Sequence, residues 1–122
     1  MGVIVKETDF NNIIGTSFCN NTINASVNEL ISIFGIEPFK DFDDKTKFEW
    51  RLEYHDETLN KKFPFTIYDY KEDWDQYLDN STGTDYLYTT KIDWHIGGKS
   101  SDYTILVKDW LKNELNKLRN EG

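Results

Sequence analysis

Lys47-Phe48-Glu49-Trp50-Arg51-Leu52-Glu53-Tyr54 alternates without a break: Phe48, Trp50, Leu52 and Tyr54 point one way, Lys47, Glu49, Arg51 and Glu53 the other. A period of two with one apolar side marks a strand with one buried and one wet face. His55 to Lys62 reads as a polar turn. Phe63 to Lys71 then repeats the pattern, with Phe65, Ile67 and Asp69 opposite Thr66, Tyr68 and Tyr70. Pro64 falls at that strand's start, where a missing amide is tolerated. An acidic loop over residues 72–85, ending in Asn80-Ser81-Thr82-Gly83, leads to a third run. There Tyr86, Tyr88, Thr90, Ile92, Trp94 and Ile96 share one face. Three strands joined by loops predict an antiparallel meander.

Helices are expected on either side. Ser26-Val27-Asn28-Glu29 is a capping box, in which Ser and Glu satisfy two orphan backbone donors at once. Val27, Leu30, Ile31 and Phe34 follow at helical spacing, Gly35 stands at a left-handed C-cap position, and Pro38 blocks continuation. After Gly97-Gly98-Lys99-Ser100-Ser101, a longer helix is expected, with Tyr103, Leu106, Val107, Trp110, Leu111, Leu115 and Leu118 as its apolar stripe. Ile13 to Phe18 reads as a short strand interrupted by Gly15, and residues 1–12 as a strand at Val3-Ile4-Val5 or a loose arm. The fold class is therefore α+β, one domain over residues 1–122. A meander sheet is packed on one face by a short N-terminal-half helix and a longer amphipathic C-terminal helix, and its other face is partly exposed.

Composition narrows the function. The 122 residues carry a net charge of −8, which repels polyphosphate chains and anionic membranes but leaves room for one small anion in a local pocket. Eight Phe, seven Tyr and four Trp can fill a core or offer flat rings for stacking. Cys19 is the one cysteine, which fits a reducing compartment, and the N-terminus lacks a signal-peptide pattern; a cytosolic location is expected. The glycosylation-type triplets at Asn20, Asn24 and Asn80 carry no weight without such a signal.

Two glycine clusters stand out. Gly97-Gly98-Lys99-Ser100-Ser101 at a helix start offers free amides, the positive end of a helix dipole and a lysine to an anion. The plainer reading is a turn with Ser101 as N-cap. Asp93 stands where a full phosphate loop needs glycine, which excludes a nucleotide hydrolase of that type. Gly15-Thr16-Ser17 offers amides and hydroxyls to a phosphate, or is a strand with a bulge. Trp50 and Trp94 read as core, whereas Tyr68 and Tyr70 are better placed to stack on a base.

Catalysis is weakly signalled. Cys19, His95 and Asp93 are suitable residue types for a nucleophile, base and orienter, yet Cys19 lacks a recognisable local signature. Asp41, Asp43 and Asp44 resemble the start of a calcium loop without its glycine and distal glutamate. No metal site or cofactor is expected.

Five short blocks occur in order: Ile14-Gly15-Thr16-Ser17, Phe34-Gly35 with Pro38, Lys45 through Glu49-Trp50, Thr66-Ile67-Tyr68-Asp69-Tyr70-Lys71, and Trp94-His95-Ile96-Gly97-Gly98. Over about residues 13–111 the chain resembles a family of small viral, largely bacteriophage, proteins identified as anti-CBASS nucleotide sponges. It departs from their pattern at Asn20-Asn21-Thr22 and in the longer loop from Asn60 to Pro64. The resemblance implies a homo-oligomer, dimer or tetramer, that binds a cyclic dinucleotide in the host cytosol without cleaving it and so starves an immune effector. On that reading Gly15, Thr16, Ser17, Lys99 and Ser100 hold phosphate together with Gly97 and Gly98. Tyr68, Tyr70 and Trp94 stack on bases, and Lys47, Lys71 and His95 make polar contacts. Alternatives are an NAD-derived cyclic nucleotide as ligand, or an acidic protein-interaction inhibitor of a host defence enzyme.

Overall fold

The computed structural model describes residues 2–40, 46–72, 74 and 86–121. The acidic run at 41–44, Lys45 and the Asn80-Ser81-Thr82-Gly83 segment lie outside them. The elements in order are β1 (Val3–Glu7), α1 (Phe10–Ile13), β2 (Ser17–Ala25), α2 (Val27–Phe34), β3 (Phe39–Lys40), β4 (Thr46–Asp56), β5 (Lys61–Tyr70), α3 (Tyr86–Thr89), β6 (Ile92–Gly98) and α4 (Ser101–Glu121). The strands form one antiparallel sheet in the order β1-β4-β5-β6-β2, with β3 also pairing β4. The meander β4-β5-β6 is thus its centre, and the N-terminal segments supply both flanks.

The alternation that predicts β4 decides which face is buried. Phe48, Trp50, Leu52 and Tyr54 join Phe63, Phe65 and Ile67 of β5, Ile92, Trp94 and Ile96 of β6, and Ile23 and Ala25 of β2 in one core. Onto this inner face α2 presents Val27, Leu30 and Phe34, and α4 presents Thr104, Val107, Leu111 and Leu115. The indoles of Trp50 and Trp94 meet edge to face at 5.5 Å and donate to the Ile36 and Ala25 carbonyls, each at 2.8 Å. Buried rings with their polar atoms satisfied are dense, specific packing.

The helix ends follow the sequence signals. Ser26 and Glu29 close the capping box over α2, and Gly35 ends it at φ +70°. Arg119 in the last turn of α4 reaches the Glu29 carboxylate at 2.8 Å and the Asn24 carbonyl at 3.1 Å, tying that helix to α2 and β2.

Several segments differ from expectation. Of the two readings of Val3-Ile4-Val5, the strand holds: it is an edge strand paired with β4. Ile13 to Phe18 is not one strand: Asp9 caps a single helical turn ending at Ile13, Gly15 turns at φ +93°, and β2 begins at Ser17. Asn20-Asn21-Thr22, where the chain departs from the family pattern, is part of β2, which bulges between Phe18 and Thr22 with Asn20 at φ +65°. The polar turn is shorter than His55 to Lys62, because β4 runs to Asp56 and β5 starts at Lys61. The third strand is shorter too. Tyr86 to Thr89 forms a helical turn whose Tyr88 ring packs on Phe48, and β6 extends instead through Gly97 and Gly98.

Candidate ligand-binding site

A β-bulge decides what the outer face presents. Thr46 pairs with Tyr70 and Glu49 with Tyr68, so one extra residue of β4 opposes Asp69. The two amides at the bulge, Lys47 and Phe48, both donate to Asp69 Oδ1, at 2.9 and 2.8 Å, and Trp74 Nε1 donates to its Oδ2 at 2.6 Å. Residues three apart in a regular strand face opposite sides; the bulge puts Thr46 and Glu49 on the same one. Burial raises the Asp69 carboxyl pKa above its ordinary value, against these donors, which lower it.

Cross-strand register then lays out rows over the outer face. Arg51, Thr66, Gly97 and Phe18 form one row and Glu49, Tyr68, His95 and Thr22 the next. The first row has large side chains at its ends and small ones in the middle. A Cβ on Gly97 would collide with Thr66 Oγ1 and stand 3.4 Å from the Tyr68 ring, so Thr66 lies directly over the Gly97 backbone and the two form the floor of a hollow. The hollow is closed on one side by α1. Asn12 Nδ2 fixes that turn by donating to Glu53 Oε2 at 3.1 Å and Thr8 Oγ1 at 2.9 Å, which lets Ile13 lean over the sheet.

The result is a cavity of about 490 Å³, within the range of small-molecule sites. Its walls are Ile13, Phe18, Tyr68, Tyr70 and His95, with Thr16, Ser17, Thr46, Thr66 and Glu49 as polar points. Phe18 stacks on the His95 imidazole with ring centres 4.2 Å apart, and Tyr68 meets the imidazole at 5.3 Å. Burial holds the imidazole pKa below its ordinary 6.5, against an opposing pull from Glu72. Burial also raises the Tyr68 phenol, and the charges of Glu49, Cys19 and Tyr70 add to that, so its O–H stays a donor at neutral pH.

The structure brings Thr16, Ser17, Tyr68, Tyr70 and His95 to this cavity, with Gly97 buried beneath Thr66. The glycine clusters do meet in space, but not as an anion cradle. Ser17 pairs with Gly98 and Phe18 with Gly97, while Phe65 and Thr66 flank both glycines on the other side. Their backbone is engaged in the sheet. The Thr16 amide goes to the Ile13 carbonyl at 3.0 Å, and the Tyr103 amide to Ser100 Oγ at 3.3 Å, making Ser100 rather than Ser101 the N-cap of α4. Gly98 faces Thr104, whose Cγ2 lies 2.8 Å from where a Cβ would stand.

Other predicted residues lie apart from the cavity. Trp94 is fully buried in the core, so its ring offers no stacking surface. Lys47 drops out of the lining because the bulge substitutes Thr46. Gly15 is the turn into β2, Lys99 is exposed, and Lys71 sits over the Tyr70 ring with Nζ 5.2 Å from its centre. Of the wall residues, Ile13, Phe18, Thr46, Glu49 and Thr66 were not singled out in the sequence. Glu49 and Thr66 are visible there as the wet side of the alternation, whereas Thr46 depends on the bulge.

Cys19, Asp93 and His95 have separate partners. The Cys19 thiol lies against the Ser17 and Gly98 carbonyls, Asp93 accepts from Asn24, and His95 packs among rings. Among the described residues no three His, Cys, Asp or Glu side chains are grouped to hold a metal ion. No described helix is long and apolar enough to cross a membrane. Comparison with protein-family models, with curated proteins and with solved structures finds no match to this chain.

Proposed function

We propose that this protein is a non-catalytic binding module that takes the base of a cyclic nucleotide into the aromatic cavity and withholds it from a host immune effector. The observation that carries this reading is the cluster of Phe18, Tyr68, Tyr70 and His95 around one cavity on the sheet face away from α2 and α4. A base stacked on such rings gains about 1–3 kcal/mol. Ser17, Thr46 and Thr66 stand beside them with hydroxyls to bond ribose or phosphate oxygens, while Thr16, whose O–H donates to the Ile13 carbonyl at 2.8 Å, can accept from a ribose hydroxyl. Exposed Phe10, Ile14 and Phe39 favour a second subunit over this face, in keeping with a homo-oligomer.

Calorimetry against a panel of cyclic di- and trinucleotides and NAD-derived cyclic nucleotides tests the reading. At least one is expected to bind, and an identical ligand recovered after the protein is denatured separates sequestration from turnover. Silence across the whole panel refutes it. Light scattering of the same samples reports the oligomer.

A further inference from the structure

We infer that Arg51 recognises an acidic oxygen group of the ligand, a phosphate on the nucleotide proposed above, in competition with Glu49. The inference rests on that reading of the cavity and adds the residue that sets its charge preference.

Arg51 pairs across the sheet with Thr66, at the end of the row whose other end is Phe18. Three strand spacings separate those ends, roughly 14 Å, with only Thr66 and Gly97 between. A flat ring resting by Phe18 therefore has its substituents directed along the row toward Arg51. The guanidinium is held in place from three directions. Its carbon lies 4.3 Å from the Phe39 ring centre and 5.2 Å from that of Phe10, both within cation–π range. Its Nε donates to Glu49 Oε2 at 3.3 Å.

A guanidinium has five N–H donors. Apart from the Nε bond, the side chain has no hydrogen bond or ion pair to any described residue. Its two NH₂ groups remain for a partner, on a side chain 24% exposed. A planar fork pinned by rings on β3 and α1 matches the bidentate geometry of a phosphate.

The cavity's own lining sharpens the need. It holds one carboxylate, Glu49, and no lysine or arginine, and its imidazole is kept neutral at pH 7 by burial. An anionic group entering there meets repulsion from Glu49 unless a cation answers it. Arg51 already touches Glu49 and is placed to turn its free donors to the newcomer.

The test compares adenosine and guanosine with their 3′,5′-cyclic monophosphates, cyclic di-AMP and cyclic di-GMP. Each is titrated calorimetrically into wild type, R51Q, R51K and E49Q, with circular dichroism to confirm folding. Wild type is expected to favour the phosphate-bearing member of a pair by about tenfold, with affinity falling as salt rises. R51Q should erase that ratio and flatten the salt dependence while leaving nucleoside binding in place. R51K should keep part of it, since it retains charge but not the fork, and E49Q should enlarge it. If wild type binds the pairs but R51Q leaves ratio and salt slope untouched, Arg51 is not the reader and the cavity reading survives. If wild type binds none of these probes and none of the wider panel above, both fall together.

Discussion

Replacing Asp69 removes one acceptor that serves three donors, and the structure sets the size of the effect. The carboxylate is 1% exposed and takes N–H groups from Lys47, Phe48 and Trp74 at 2.6–2.9 Å. A buried donor left without a partner costs about 1–3 kcal/mol. The Lys47 bond is only part-buried, so water can replace Asp69 there; the Phe48 and Trp74 donors have no such relief. Asp69→Ala is therefore expected to cost about 2–6 kcal/mol by that figure, a large share of a typical total of about 5–15. Asp69→Asn keeps an oxygen for the bulge amides but turns an NH₂ toward the indole N–H, losing one bond at about 1–3 kcal/mol.

The pH dependence has a definite sign. Because burial raises the folded carboxyl pKa above the ordinary 3.8, the native state binds the proton more tightly than the unfolded chain. This group's contribution is full below 3.8 and is lost as pH rises through the raised value. The cost of Asp69→Asn should therefore shrink from acid toward neutral pH. Urea unfolding followed by emission of Trp50, Trp74, Trp94 and Trp110 measures both effects. If both variants unfold within about 0.5 kcal/mol of wild type, as ordinary surface changes do, then Asp69 is not what holds the bulge.

Gly97→Ala forces a methyl against Thr66 Oγ1 and the Tyr68 ring. It should cost about 1–3 kcal/mol by overpacking, with Thr66→Ala in the same chain restoring part of it in the same unfolding assay. Phe18→Ala removes the ring stacked on His95 from a position 39% exposed, so stability should change little while affinity for the best cyclic nucleotide falls about tenfold or more. His95, held below 6.5, contributes stability that is full above 6.5 and lost as pH falls through its lowered folded value. NMR titration should place its midpoint below 6.5, and His95→Gln should flatten the acid limb of a stability profile.

The core was legible because one period governs it. In β4 every second residue from Phe48 to Tyr54 is buried, and no competing signal disturbs the count. The capping box at Ser26 and the glycine at 35 fix α2 through chemistry confined to a few neighbouring residues. The outer face was harder because its form comes from interruptions of that period. Nothing local to Lys47 and Phe48 announces that Asp69, 21 residues away from Phe48, will collect their amides. The bulge in β2 at Asn20 likewise shows only once β6 is laid beside it. Gly97 and Gly98 illustrate the same limit: as a dipeptide they suggest a loop, and only the neighbouring β5 and α4 show that one glycine admits Thr66 and the other Thr104.

Those interruptions also explain why a domain this small can keep a hollow open. The inner face holds the large aromatic side chains Phe48, Trp50, Phe65 and Trp94 in one dense core with their polar atoms bonded, so most of the apolar burial lies away from the outer face. An outer face filled to the same density would need a bulky residue at the crossing of Thr66 and Gly97, the centre of the sheet. Instead the smallest residues stand there, flanked by Phe18, Tyr68 and Tyr70, and the rings remain partly exposed at the cost of unburied apolar area of about 25 cal/mol per Å². A face serving stability alone would bury those rings; one serving recognition keeps a place for another ring among them. Thr66→Leu separates the two. It should fill the hollow and hold or raise stability while abolishing uptake of the best cyclic nucleotide. A variant that still binds at wild-type affinity would show that the ligand goes elsewhere.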